Sequence, residues 1–166
     1  MKRVGRHAIL RGALASLAVV TAGLVARADA PAGQYGPFNQ ANTVITDAKT
    51  NLAWQRTVTT RTDFAGAVAA CRGLSLGTFP SGWRLPSYKE LLTLVDESPH
   101  TEYPTGAPQQ IAIDPYAFPE TPVTPSNYWT SSVAGAQVFS VEFVQGNASL
   151  QSPTATQYVR CVHDPP

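Results

Sequence analysis

Ser131, Ser132 and the histidines His100 and His163 are the residues that would have to supply nucleophilic chemistry in this chain. A catalytic serine needs a histidine base and a sharp turn that exposes its hydroxyl, and no Gly-x-Ser-x-Gly surrounds either serine. Serines in a β-prone run beside a tryptophan read as structural. Asp96, Glu97 and Glu102 are close enough in sequence to act as paired carboxylates or as oxygen ligands for a hard cation. The simpler reading is a solvated helix end and loop. No glycine-rich phosphate loop is present. Arg84 and Arg160 sit among apolar residues, so at least one is expected to be partly buried against a carboxylate, Glu90 or Glu142. The residues therefore offer no catalytic constellation, no metal set and no cofactor site, and the expectation is a protein that is not an enzyme.

Charge and targeting narrow the setting. Lys2, Arg3, Arg6 and Arg11 precede an uncharged run from Gly12 to Ala26, followed by small residues around Arg27-Ala28-Asp29-Ala30. This is the layout of a cleaved export signal over residues 1–30, with Ala26-x-Ala28 or Ala28-x-Ala30 as the cleavage site. The apolar run is shorter than the roughly twenty residues a membrane span needs. Removing it takes five of the twelve basic residues and one of the eleven acidic ones, leaving a mature charge of about −3. A mildly acidic chain without a basic run has no electrostatic case for nucleic acid or an anionic membrane. The expected location is a periplasm, the medium or the cell surface, with no transmembrane span in the mature chain.

In that compartment Cys71 and Cys161 read first as a disulfide. Such a bridge would contribute about 4–5 kcal/mol by closing a long loop. A metal pair or a catalytic thiol is the alternative, although His100 and His163 lie at no ligand spacing.

The elements that must position these residues follow in order. Residues 31–42 read as a flexible, exposed lead-in to a domain over 43–166. Val44-Ile45-Thr46 and Leu52-Ala53-Trp54-Gln55 flank a turn, giving a hairpin with Trp54 inward. Phe64 to Leu74 carries an apolar stripe that includes Cys71, capped by Thr62 or Asp63. Gly82-Trp83-Arg84-Leu85-Pro86 is extended until proline ends it. Ser87 with Glu90 then forms a capping box for a second helix, Tyr88 to about Asp96. Seven prolines punctuate the loop of residues 97–127, which Ile111, Ile113, Tyr116 and Phe118 pin to the body. Tyr128-Trp129-Thr130, the alternating run Gln137 to Val144, Ala148-Ser149-Leu150 and Tyr158 to Val162 supply the late strands. The fold class is α+β, with helices early and sheet late.

Four of these stretches in this order carry a resemblance over nearly all of the mature chain. They are Val44-Ile45-Thr46-Asp47 through Trp54-Gln55, Gly82-Trp83-Arg84-Leu85-Pro86 with Glu90-Leu91, Tyr128-Trp129-Thr130-Ser131-Ser132, and Val159-Arg160-Cys161-Val162. They resemble the DUF1566 family, also described as the C-terminal domain of the Legionella collagen-like adhesin. Asn51 stands where that family usually has Gly, and Phe64 where Trp is common. The resemblance implies a C-type-lectin-like fold, two helices on antiparallel sheet, with a bridge from the first helix to the last strand. It makes Trp54, Trp83, Arg84, Pro86, Glu90, Trp129 and Arg160 fold-holding residues.

It also implies an exported binding or adhesion module recognising a carbohydrate or protein through the loop of residues 97–127. Tyr103, Tyr116, Tyr128, Gln145 and Asn147 are the candidate ligand surface. The family's adhesin member is associated with sulfated polysaccharides, a ligand that the acidic mature charge disfavours. The alternatives are a degenerate enzyme of the formylglycine-generating type, which uses a late cysteine pair to bind copper, and a structural envelope protein. Only one late cysteine occurs here, and none of the calcium-binding triplets of the lectins.

Overall fold

The protein is described by a computed structural model over residues 30–36, 43–58, 61–97, 99–102, 108–123 and 126–165. Tyr103 and residues 1–29 of the export signal lie outside these residues. The chain runs β1 (Tyr35–Gly36), β2 (Val44–Asp47), β3 (Ala53–Gln55), β4 (Arg61–Thr62), α1 (Phe64–Arg72), β5 (Trp83–Arg84) and α2 (Tyr88–Leu92). It continues through β6 (His100–Glu102), β7 (Gln109–Ile111), β8 (Asn127–Ala134), β9 (Gln137–Glu142), β10 (Ala148–Gln151), β11 (Gln157–Tyr158) and β12 (Val162–His163). The architecture is α+β, mostly sheet with two short helices.

Two five-stranded sheets, ordered β1-β2-β3-β12-β5 and β10-β9-β8-β11-β4, share the chain, and β6-β7 forms a separate hairpin. The expected final strand is in fact two. Tyr158 pairs with Tyr128 in the second sheet, whereas Val162 pairs with Trp54 and Arg84 in the first. Val159-Arg160-Cys161 carries the chain from one sheet to the other.

Alternation on β8 and β9 explains why both sheet faces are covered. Tyr128, Val141 and Phe143 enter a core with Trp54, Leu91, Ile113 and Phe118. Trp129 and Val138, one residue out of phase, enter a second core with Ala67, Cys71, Trp83 and Cys161. Helix α1 lies over the second core, where Phe64 meets Trp129 edge-on. Helix α2 lies over the other face, where Tyr88 stacks on Phe139. Val138 and Ser140 are buried, so the run from Gln137 is not amphipathic in the way its alternation suggests.

Cys71 and Cys161 are bonded, with Cα atoms 5.5 Å apart, and tie α1 to the sheet crossover. Asp63 caps α1 by accepting from Gly66 N at 2.8 Å. The capping box of α2 forms in full: Glu90 N donates to Ser87 Oγ at 3.3 Å and Ser87 N to Glu90 Oε2 at 2.7 Å. Helix α2 stops at Leu92, four residues short of expectation. Thr93 Oγ1 donates back to the Glu90 carbonyl at 2.7 Å, and Asp96 N leaves the helix pattern to donate to the carbonyl of Ala112.

One further expectation changes. Tyr35–Gly36, in the supposed lead-in, adds an edge strand on Asp47 and Thr46, and Tyr35 is buried against Phe118. The rest of the lead-in, residues 37–42, lies outside the described residues. The pinning expected of the proline-rich loop is found at Ile111, Ile113 and Phe118, whereas Tyr116 is exposed. Ile111, Ala112, Ile113, Ala117, Phe118 and Val123 are all buried.

Candidate functional site

The inner side of the loop is held by two buried arginines. Arg56 donates from Nε to the Ala117 carbonyl at 3.1 Å and from Nη2 to the Tyr116 carbonyl at 2.8 Å. Arg160, fully buried, donates from Nη1 to the carbonyls of Gln55 and Arg56 at 2.7 and 2.8 Å, and from Nη2 to Thr121 Oγ1 at 2.8 Å. Its guanidinium lies 4.6 Å from the Phe118 ring centroid and 5.8 Å from that of Tyr128. Burial pushes its pKa down to about 10, so it remains a cation at neutral pH. The carboxylate partner expected for it is replaced by carbonyl oxygens and aromatic faces. Glu142, one candidate partner, instead accepts from the backbone N–H groups of Val144, Gln145 and Asn147.

Arg84 does take a carboxylate. It grips Glu90 in a fork, Nη1 to Oε2 at 2.9 Å and Nη2 to Oε1 at 2.7 Å, and also bonds Asp164. Hydrogen bonds from Arg84 hold both carboxyls below their usual range.

The residues proposed for nucleophilic chemistry have other work. Ser131 N and Oγ donate to the Pro86 carbonyl, and Ser132 Oγ accepts from Tyr88 N at 3.0 Å, so both serines hold the entry to α2. His163 packs against Phe79 and Trp83. The other fold residues are interior: Trp54 and Trp129 are fully buried, and Trp129 Nε1 donates to Thr62 O at 2.9 Å.

The expected ligand surface splits. Tyr128 is corrected: it is fully buried, its hydroxyl donating to the Pro122 carbonyl at 2.8 Å, and it offers nothing to a ligand. Tyr116 is 64% exposed. Gln145 and Asn147 are exposed on a turn whose Gly146, at φ +76°, would place any Cβ 2.2 Å from Val95. That close approach sets the turn beside a cleft.

The cleft has a volume of about 490 Å³ and lies where the start of the loop faces the first sheet. Thr93 to Glu97 form one wall, Asp47, Lys49 and Thr50 of the β2–β3 turn another, and Ala30, Pro31, Gln34 and Tyr35 a third, with Asp114 contributed by the loop. Its charge is one-sided, four carboxylates against Lys49. Asp47 is fully buried and accepts from Lys49 N at 2.9 Å and Thr50 Oγ1 at 2.8 Å. Asp114 accepts from Tyr116 N and Ala117 N at 2.8 and 3.0 Å. Of the acidic trio read from sequence, Asp96 and Glu97 line this cleft, and the Glu102 side chain lies outside the described residues. Sequence reading missed Tyr35, Arg56 and Asp114. The Asp-Pro step at 114–115 is a turn signal that could have marked the last of these.

The Lcl C-terminal domain family model matches residues 43–163. The chain belongs to the Lcl C-terminal domain family. No curated protein and no solved structure matched it in the same comparisons. Membership in the Lcl C-terminal domain family points to an adhesion-related module, and none of the helices among the described residues is long and apolar enough to cross a membrane. The disulfide is compatible with export to an oxidising compartment.

Proposed function

We propose that this Lcl C-terminal domain is an exported, non-catalytic adhesion module with a lectin-like fold, which recognises a carbohydrate or protein where the loop of residues 97–127 meets the body. The observation that carries this reading is the cleft itself. Its wall from Thr93 to Glu97 leads into the loop, Asp114 comes from within it, and the Gln145–Asn147 turn stands behind Val95. A concave site of this size with a few fixed polar groups is the usual form of a binding site. Two arginines hold the loop at Tyr116, Ala117 and Thr121, so a ligand would meet a preformed surface there. The engagement of Ser131 and Ser132 in holding α2 supports the non-catalytic reading.

Deleting the loop is a poor test, because its residues build the core. The test is a glycan and protein array probed with the exported chain and with Tyr116→Ala, Gln145→Ala and Glu97→Lys. Retention of a ligand that all three exposed substitutions weaken, at unchanged melting temperature, is the expected result. An array with no retained ligand, or one that the three variants bind equally well, overturns the proposal.

A further inference from the structure

We propose that the Cys71–Cys161 bond is a redox latch on the loop. Oxidation locks the sheet crossover at Val159–Cys161 and, through Arg160, the segment from Tyr116 to Thr121; reduction releases both while the β8–β9 ladder stays folded. The latch acts on how the loop is held, whatever the domain binds. The crossover has little backbone pairing of its own. Strands β11 before it and β12 after it are two residues each, too short to fix what lies between them. What fixes it is the bond to α1 and a pair of hydrogen bonds with Gln55. Cys161 N donates to Gln55 Oε1 at 3.1 Å, and Gln55 N to the Cys161 carbonyl at 3.0 Å.

Arg160, next to the bonded Cys161, is what the latch holds in. It is fully buried, and its Nε has no hydrogen-bond partner among the described residues. A buried cation met by carbonyls and aromatic faces regains only part of what it lost on leaving water. Once the crossover is free to move, hydration therefore draws the guanidinium outward. The same guanidinium binds Thr121 and the carbonyl of Arg56, whose own donors hold the carbonyls of Tyr116 and Ala117. Bond, crossover, arginines and loop are thus joined in series. The β8–β9 ladder pairs along its length without them. The redox step is thiol–disulfide exchange with a dithiol reductant. One of its thiolates attacks a sulfur of the pair, and its second thiol resolves the mixed disulfide. Two electrons and two protons pass to Cys71 and Cys161, and the donor leaves as a disulfide. Both cysteines are buried in the closed domain, so exchange takes place before the chain closes or when it opens. The latch is therefore set in the compartment where the chain folds.

The experiment is hydrogen exchange, read by mass spectrometry, on the exported chain refolded with oxidised glutathione and on the same chain refolded in dithiothreitol. In the reduced chain the amides of residues 116–121 and 157–161 should exchange faster by about tenfold or more, while those of β8 and β9 keep their protection. Thr121→Val, a milder change made in the oxidised chain, removes the loop's acceptor for Arg160. It should speed exchange over residues 116–121 by about tenfold and leave residues 157–161 unchanged. Equal protection of the loop in the oxidised and reduced chains overturns the latch. Loss of protection in every segment together also overturns it, because the bond then supports global stability alone. A loop that opens on reduction but is unmoved by Thr121→Val overturns the route through Arg160.

Discussion

Arg160 concentrates more of this domain's architecture than any other side chain. Its donors hold the carbonyls of Gln55 and Arg56 at the end of β3, the loop at Thr121 and, through Phe118, the wall that supports Tyr35. Arg160→Ala should cost about 3–5 kcal/mol, since it opens a cavity and leaves buried acceptors unpaired. Urea unfolding of wild type and variant measures this, and a loss under about 1 kcal/mol would show that the guanidinium is dispensable. Two pH effects belong to this scale as well. Burial is the main cause that raises the phenols of Tyr35 and Tyr128 above the ordinary value near 10. The folded state therefore holds protons that the unfolded state releases, and stability should fall as pH rises beyond about 10. An absorbance titration should find that two of the six tyrosines ionise only with alkaline unfolding. Glu90 runs the other way. Its lowered pKa means that its pairing with Arg84 is fully present above the usual carboxylate range and is lost as pH falls through the depressed value. Glu90→Gln should cost at most about 1 kcal/mol at neutral pH, because Arg84 is partly exposed, and should flatten the acid limb of the stability curve.

At the scale of elements, the capping box of α2 offers the cleanest substitution. Ser87→Ala removes one of two reciprocal caps and should cost about 1 kcal/mol, read from the shift in denaturation midpoint. The two caps, the hairpin around Trp54 and the Arg84–Glu90 pair were legible in the residues because each depends on neighbours a few positions apart. Asn51, at φ 59°, is the left-handed position that the resemblance assigns to glycine. The end of α2, the split last strand and the partners that hold the loop's carbonyls were not legible. Each is decided by a partner far away in sequence: Ala112 for Asp96, two different sheets for Tyr158 and Val162, and Arg56 for the carbonyls of Tyr116 and Ala117. Prolines marked the loop as irregular but carried no sign of what it packs against.

For the whole molecule, the Cys71–Cys161 bond closes a sequence separation of 90 residues and joins α1 to the point where the chain changes sheets. Replacing both cysteines by alanine should lower stability by up to about 4–5 kcal/mol. The cleft draws on three stretches that are distant in sequence, residues 30–35, 47–50 and 93–97, with Asp114 added from the loop. That is why composition revealed an acidic domain but not where its charge gathers. The central claim is that ligand recognition belongs to this junction. It is tested most directly by titrating the isotopically labelled chain with the ligand that the glycan and protein array retains and following backbone amide shifts. Perturbations centred on Tyr35, Thr50, Thr93 to Glu97, Asp114 and Tyr116 are the predicted result. Perturbations confined to the far ends of β8 and β10, around Val133 and Leu150, would contradict it.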